Sequence, residues 1–226
     1  MKQYQLKIKL LSDTTFGRGD GVAGIIDQEV EHDACGLPYL RGRTLKGVLS
    51  EECDNLIYTL ANNQSANNQS YWREVANKLF GISGSGLDII AAVHIGDAQL
   101  PQELRNAVDY ELQQKQFTPQ QILDSLTTIR KQTSIDNQTG VADKGSLRSA
   151  RVVLRDLEFT SNLFFEAKTV DENMLALLAV GALALRHLGS GRNRGRGHVQ
   201  CTLHDANGND ITQSYIYKFG LEEKSA

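Results

Sequence analysis

Gly189-Ser190-Gly191-Arg192-Asn193-Arg194-Gly195-Arg196-Gly197 is the stretch on which the reading of this chain turns, because of what flanks it. Before it, Asp171 to Leu188 is strongly apolar, the composition of a helix that packs across a sheet. After it, His198 to Leu203 reads as a strand. The order helix, glycine-rich loop, strand is the reverse of the strand, turn, helix order of nucleotide phosphate loops, and the closing Gly-Lys-Ser/Thr is missing. A free-standing mononucleotide-binding enzyme is therefore the weakest reading of this loop.

Working outward, Tyr4, Leu6, Ile8 and Leu10 alternate with polar residues, the period of a half-buried antiparallel strand. Phe16-Gly17-Arg18-Gly19-Asp20-Gly21 follows, then an extended segment through Asp33 that ends at the turn-prone Gly36-Leu37-Pro38. Thr44 reads as the N-cap of a helix whose Leu45, Val48, Leu49, Cys53, Leu56, Ile57 and Leu60 share one face. Residues 61–70 repeat Ala-Asn-Asn-Gln-Ser in tandem, which predicts a flexible loop or a frayed helix end. A helix resumes over Tyr71 to Phe80, and a strand is expected over Ile89 to Leu100. Thr118-Pro119 starts a helix over Gln120 to Arg130. Gln132 to Ser149 is polar, contains glycine and is too long for an ordinary connection, so it reads as a protruding hairpin. Strands are expected within Val152 to Lys168 and at Tyr215 to Phe219. Strand, helix, strands, helix, strand predicts an α+β fold with a ferredoxin-like core. One domain over 1–226 accommodates it, with insertions around 61–70 and 131–150.

The chemistry sits in two segments far apart in sequence. Glycines let a main chain approach phosphate closely, and arginines supply charge and forked hydrogen bonds. The second such segment is Gly36-Leu37-Pro38-Tyr39-Leu40-Arg41-Gly42-Arg43-Thr44-Leu45-Lys46-Gly47. Arg41, Arg43 and Lys46 oppose the macrodipole at a helix start unless an anion is bound there. With Arg18, Arg192, Arg194 and Arg196 they make the candidate RNA-binding set. The formal net charge of -3 means that any nucleic-acid contact is a local patch, and Arg186 to Arg196 carries four arginines and no acid. Phe16, Tyr39 and Phe80 are either core or base-stacking aromatics. Cys35, Cys53 and Cys201 have neither metal-ligand nor disulfide spacing and read as reduced thiols of a cytoplasmic protein. The first ten residues hold no signal-peptide core, and no apolar run suits a membrane span, so no membrane partner is expected. The histidines show no ligand spacing.

Gly36 to Leu40, Gly42 to Gly47, Leu79-Phe80-Gly81, Ile135-Asp136 with Thr139-Gly140, and Gly189 to Gly197 together resemble the RAMP superfamily of CRISPR proteins over nearly the whole chain. They are most similar to the backbone subunits of type III effector complexes. The resemblance implies a modified RNA-recognition-motif core and side-by-side packing with other RAMP subunits along a guide RNA. It also implies that the hairpin near 132–150 is a thumb wedged between guide and complementary target RNA. It places a target-cleaving carboxylate at Asp27 within Ile26-Asp27-Gln28-Glu29-Val30-Glu31-His32-Asp33, with Asp33 as the second acidic position and a divalent metal, Mg2+, as cofactor. Two positions depart from the pattern: Asn137 stands where the thumb usually has a basic residue, and His32 precedes Asp33. The activity expected on this ground is that of an endoribonuclease acting within an assembled complex. On its own, Asp27 reads equally as a solvated strand-end carboxylate, and a non-catalytic capping subunit that binds the guide end is the alternative.

Overall fold

The structure, a computed structural model, describes residues 2–22, 25–63, 66–82, 90–166, 170–216 and Phe219. Strand β1 (Lys2–Leu10) turns Leu6, Ile8 and Leu10 inward, as their alternation requires, and all three are buried. It pairs antiparallel with β5 (Glu158–Phe165), Ile8 opposite Phe159, and with β6 (Val199–His204), Ile8 opposite Cys201. The short β2 (Val93–Ile95) extends β5, giving the antiparallel order β2-β5-β1-β6. With a helical segment after β1 and another after β5, this is the βαββαβ arrangement of a ferredoxin-like core, as expected.

Helices α1 (Gly42–Asn63), α2 (Ala66–Phe80), α5 (Glu172–Ala184) and α6 (Thr212–Ile216) pack with one another over the core, α5 in the middle against the other three and β6. That position explains why α5 is apolar all round: Met174 through Ala182 are all buried. It is capped by Asp171, whose side chain accepts from Met174 N at 2.8 Å. Gly181 lets α5 touch α1; a Cβ there would lie 2.5 Å from Cys53 Sγ. The opposite face of the sheet is polar, with Gln5, Lys7 and Lys9 of β1 beside Thr160, Asn162, Gln200 and Thr202.

Between β2 and β5 the chain inserts α3 (Gln102–Gln113), α4 (Pro119–Leu126) and a two-stranded hairpin of β3 (Thr127–Gln132) and β4 (Arg148–Val153). The capping box at Thr118 is formed: its hydroxyl accepts from Gln121 N at 3.3 Å while Gln121 Oε1 accepts from Thr118 N at 2.8 Å. The helix expected to reach Arg130 stops at Leu126. Thr127 Oγ1 donates to the Leu123 carbonyl at 2.6 Å, and β-branched Thr127, Thr128 and Ile129 continue as strand. The hairpin legs thus begin five residues earlier than the polar stretch indicated. Its tip is closed by Asp136, whose carboxylate accepts from Gln138 N at 2.8 Å and Thr139 Oγ1 at 2.9 Å.

Other differences are local. The expected strand over Ile89 to Leu100 is regular only at Val93–Ile95, with bridges from Ala98 to Leu40 and Gln99 to Thr160; residues 83–89 lie outside the described residues. Within Val152 to Lys168, Asp156 at φ 69° marks the turn between β4 and β5, and residues 167–169 again lie outside the description. The tandem repeat is helical where described, over 61–63 and 66–70, because alanine, asparagine, glutamine and serine contain no breaker. Of the expected closing strand at Tyr215 to Phe219, Tyr215 and Ile216 are instead helical and residues 217–218 lie outside the described residues: Asp210 Oδ1 accepts from Thr212 N at 2.8 Å, and Thr212 Oγ1 accepts from Leu203 N at 2.8 Å. A helix start is built there, and no ladder partner is needed. No helix among the described residues is long and apolar enough to cross a membrane.

Candidate nucleic-acid interface

Residues Asp13 to Gly17 join the distant segments. Thr14 pairs with Val153 of the hairpin, Thr15 with Ser190 and Gly17 with Val30. Ser190 N donates to Thr15 O at 2.9 Å and Gly197 N to Asp13 O at 3.0 Å, so the Gly189 to Gly197 loop is stitched to this spine at both ends. Gly197 must be glycine: its φ is +70°, and a Cβ would run into the Leu188 carbonyl oxygen. Between its ends the loop makes a 3₁₀ turn over Arg192–Arg194, with Arg194 N donating to Gly191 O at 2.8 Å.

The result is a groove of about 710 Å³ lined by Arg41 and Thr44 at the start of α1 and by Arg192, Arg194 and Arg196 of the loop. Phe16, Gln28, Glu31, Tyr39 and Gln132 complete its walls. The two glycine and arginine segments therefore meet, although about 150 residues separate them. Among the aromatics singled out from sequence, Tyr39 is half-buried in this wall, whereas Phe16 and Phe80 are buried.

Most of the groove arginines are held by a partner. Arg41 Nη2 sits 2.8 Å from Glu31 Oε2 and Arg192 Nη2 sits 3.5 Å from Glu51 Oε2 of α1; with the Gln132 amide turned so that its oxygen faces the loop, as hydrogen bonding requires, that oxygen accepts from Arg196 Nη1 and Nη2 at 2.8 Å each. The guanidinium of Arg41 beside Glu31 is pushed above its ordinary pKa by that hydrogen bond and charge. The remaining candidates lie outside the groove lining. Arg18 pairs with Asp20 at 2.6 Å, Arg43 is exposed on α1, and Lys46 is half-buried with its pKa lowered by desolvation. The helix start also differs from expectation. Leu45 N donates to the Arg41 carbonyl, so the helix opens ahead of Thr44, and Gly42 N donates to Asp97 Oδ1 at 2.7 Å. One of the free amides is thus satisfied by a carboxylate within the protein.

Asp27 lines a separate hollow of about 610 Å³, together with Gly21, Val22, Ile25, Lys131, Leu147 and Ser149. Its Oδ2 accepts from Ser149 N at 2.6 Å and Ser149 Oγ at 3.1 Å, while Asp27 N donates to the Ser149 carbonyl at 3.0 Å. The Ser149 backbone and hydroxyl donors, with the charge of Arg148, lower the Asp27 pKa, so it is a carboxylate at neutral pH. Both Ser149 bonds fall on Oδ2, which leaves Oδ1 for another donor or a cation. Among the described residues no cluster of three His, Cys, Asp or Glu side chains could hold a metal alone. Val22, Ile25 and Leu147 are exposed apolar walls. Consecutive residues face different cavities: Asp27 and Lys131 line the hollow, Gln28 and Gln132 the groove. The two cavities share a wall because side chains of extended backbone alternate.

Asp33 is placed differently from Asp27. Its Oδ1 accepts from Cys35 N at 2.9 Å and Leu37 N at 3.0 Å, so it closes the turn before Pro38 and lines neither cavity. His32 Nδ1 lies 3.0 Å from the Asp33 carbonyl oxygen. Cys35 is pushed up to about 11 by its hydrogen bond to Asp109 and by burial, and Cys201 to about 12 by burial, so neither is a nucleophile at neutral pH. Sequence reasoning missed Glu31, Glu51 and Gln132, which hold the arginines, and Lys131 and Ser149, which accompany Asp27. Nothing short-range marks them, since each finds its partner only through the fold.

Comparison with known proteins agrees with this architecture. The family model described as the RAMP superfamily matches residues 7–200. A search of curated protein sequences returned no match. Among solved structures, the chain is similar to a subunit in a cryo-EM structure of the type III-B Cmr-beta complex bound to cognate target RNA. The TM-score there is 0.62 at 15% identity, covering 96% of this chain and 99% of that one. A chain of the same complex in its apo state aligns with TM-score 0.60 at 16% identity, covering 89% of this chain and 97% of that one. With the family model spanning most of the sequence and the ferredoxin-like core in place, the chain belongs to the RAMP superfamily.

Proposed function

We propose that this chain is a backbone subunit of a type III RNA-guided effector complex, which binds guide RNA along its sugar-phosphate backbone in the arginine groove and cleaves the paired target RNA with Asp27. The observation that carries the reading is the convergence of Arg41, Arg192, Arg194 and Arg196 on one groove beside the Asp27 hollow. Phosphate contacts of this kind position an RNA without reading its bases, so sequence selection falls to base pairing between guide and target. The groove arginines are held by Glu31, Glu51 and Gln132, which reduces the ordering cost of binding.

In the hollow, cleavage needs the 2′-hydroxyl of the target aligned for in-line attack on the adjacent phosphorus, with the 5′-oxygen leaving. Asp27, charged at neutral pH, would accept a hydrogen bond from that hydroxyl, orient it and take up its proton as the new 2′-O–P bond forms, while water protonates the departing 5′-oxygen. Lys131 would supply positive charge to the phosphate oxygens and the leaving oxygen as negative charge develops there. A divalent ion such as Mg2+ would be held by the Asp27 carboxylate with oxygens of the RNA, the hard donors that such an ion takes, and would supply charge neutralisation. The test is to purify the tagged chain with its partner subunits, sequence the RNA that accompanies it, and assay cleavage of a complementary target with Asp27→Asn in place. Short RNAs sharing a repeat-derived end, and loss of cleavage with the RNA still bound, are expected.

One observation favours a second reading, a non-catalytic capping subunit. Asp27 also fastens the 25–27 turn to the hairpin through Ser149. On that reading Asp27→Asn, which keeps an acceptor oxygen for Ser149, leaves target cleavage by the assembled particle unchanged.

A further inference from the structure

We propose that Glu31 is a positioning residue for RNA binding: its carboxylate, in the wall of the groove, holds the Arg41 guanidinium in place, so that removing this negative charge weakens binding of a polyanion. The inference rests on the reading of the groove as an RNA site. Glu31 is only 7% exposed although it lines the groove, and it is fixed from the backbone outward. Its N donates to Phe16 O at 2.7 Å, and its carbonyl accepts from Tyr39 N at 3.1 Å. At the tip, Oε1 accepts from the Tyr39 hydroxyl at 3.1 Å and from Arg41 Nη2 at 2.9 Å, while Oε2 lies 2.8 Å from the same Arg41 nitrogen.

Arg41 has no comparable hold of its own. Its side chain is 57% exposed, so burial does not fix its rotamer. An unpinned arginine would lose several rotatable bonds' worth of freedom on meeting a phosphate, and the Glu31 grip meets that cost at folding. Coulomb's law alone points the other way. A carboxylate within a screening length of about 8–10 Å repels RNA phosphates, so neutralising it should tighten binding. The two accounts predict effects of opposite sign, and Arg18 supplies a contrast: its partner Asp20 is exposed and neither residue lines the groove.

The experiment measures binding of a labelled single-stranded oligoribonucleotide to the full chain by fluorescence anisotropy over a salt series, with thermal melting to confirm folding. Glu31→Gln is expected to weaken binding roughly five- to tenfold and to flatten the salt slope by about 0.7, the equivalent of one phosphate contact on a single strand. In an Arg41→Ala background, the same change is expected to have no further effect. Glu31→Asp, which keeps the charge but withdraws it by one methylene, is expected to weaken binding comparably. It also serves if Glu31→Gln does not fold. Unchanged or tighter binding by Glu31→Gln, or equal losses with and without Arg41, overturns the proposal. If the combined Arg192, Arg194 and Arg196 alanine variant binds this RNA as tightly as the parent, the groove reading itself has failed, a result distinguishable from failure at Glu31 alone.

Discussion

The arginine groove and the Asp27 hollow are neighbours of similar size with opposite chemistry. The groove is walled by guanidinium groups tied to Glu31, Glu51 and Gln132, and its loop is sewn to the Asp13 to Gly17 spine. The hollow has one carboxylate, one ammonium and a hydroxyl among the exposed apolar side chains Val22, Ile25 and Leu147. On the proposed reading, one side of the shared wall grips a phosphate backbone whatever its sequence and the other acts on a single linkage. Affinity and chemistry should therefore be separable by mutation, even though Asp27 and Gln28, or Lys131 and Gln132, are adjacent in the chain.

The largest effect that would break this division lies in the hollow. Asp27→Asn is expected to lower target cleavage by the assembled complex by about 10²–10⁴-fold while guide RNA remains bound, read by single-turnover cleavage beside the RNA content of the particle. Next comes the groove. Replacing Arg192, Arg194 and Arg196 together by alanine removes up to three phosphate contacts. It should weaken single-stranded RNA binding about a hundredfold at moderate salt and flatten the slope of log K against log salt by about 2. The loss should be the same for RNAs of unrelated sequence, and a loss confined to one base would contradict backbone binding. Smaller still, Lys131→Met is expected to slow cleavage about tenfold with little change in affinity. A change in affinity alone would move Lys131 to the groove's side of the comparison.

How much of this was legible in the sequence follows from how local each determinant is. The alternation at Tyr4 to Leu10, the apolar run from Asp171 and the Thr118-Pro119 helix start depend on neighbours, and all three elements formed, although the apolar helix ends at Ala184 rather than at Leu188. The helix limit at Leu126 depends on one threonine hydroxyl and a β-branched run, too short to outweigh the surrounding periodicity. The final helix depends on Thr212 reaching Leu203 and Asp210, which makes it partly a tertiary feature. For the site, glycine and arginine content singled out Arg41, Arg192, Arg194 and Arg196, and the fold brings these four to one groove. Arg43 and Lys46 share their segment but line neither cavity, because only some positions at a helix start face any one direction. Ser149 lies 122 residues from Asp27, and no spacing rule connects them.

The hairpin that carries Lys131 and Ser149 is joined to the core by carboxylates, and that gives the comparison a pH dependence. Asp13 accepts from Arg130 Nη2 at 2.7 Å and from Arg155 Nε at 3.3 Å. Burial acts to raise its pKa, but the hydrogen bonds and charges of those two arginines outweigh it and the net shift is downward from 3.8. Asp124, held by Gln120 and by Arg151 of β4, is lowered from 3.8 as well, and so is Asp27 through Ser149. Arg151 also lies 2.9 Å from buried Glu29, without the directional geometry of a hydrogen bond at Nε. A carboxyl whose folded pKa is depressed contributes stability that is present above its unfolded pKa and lost as pH falls through the folded value. Acidification from neutral to below about 3.8 should therefore loosen the hairpin while the β1, β5 and β6 core, whose buried face is apolar, stays paired. Amide hydrogen exchange, corrected for the intrinsic effect of pH, is expected to show protection in β3 and β4 falling about tenfold over that window, a modest effect because the arginine partners Arg130 and Arg155 are largely exposed. Equal loss in hairpin and core would mean that the Asp27 hollow is as firmly built as the groove, and the mechanical half of the contrast between them would have to be given up.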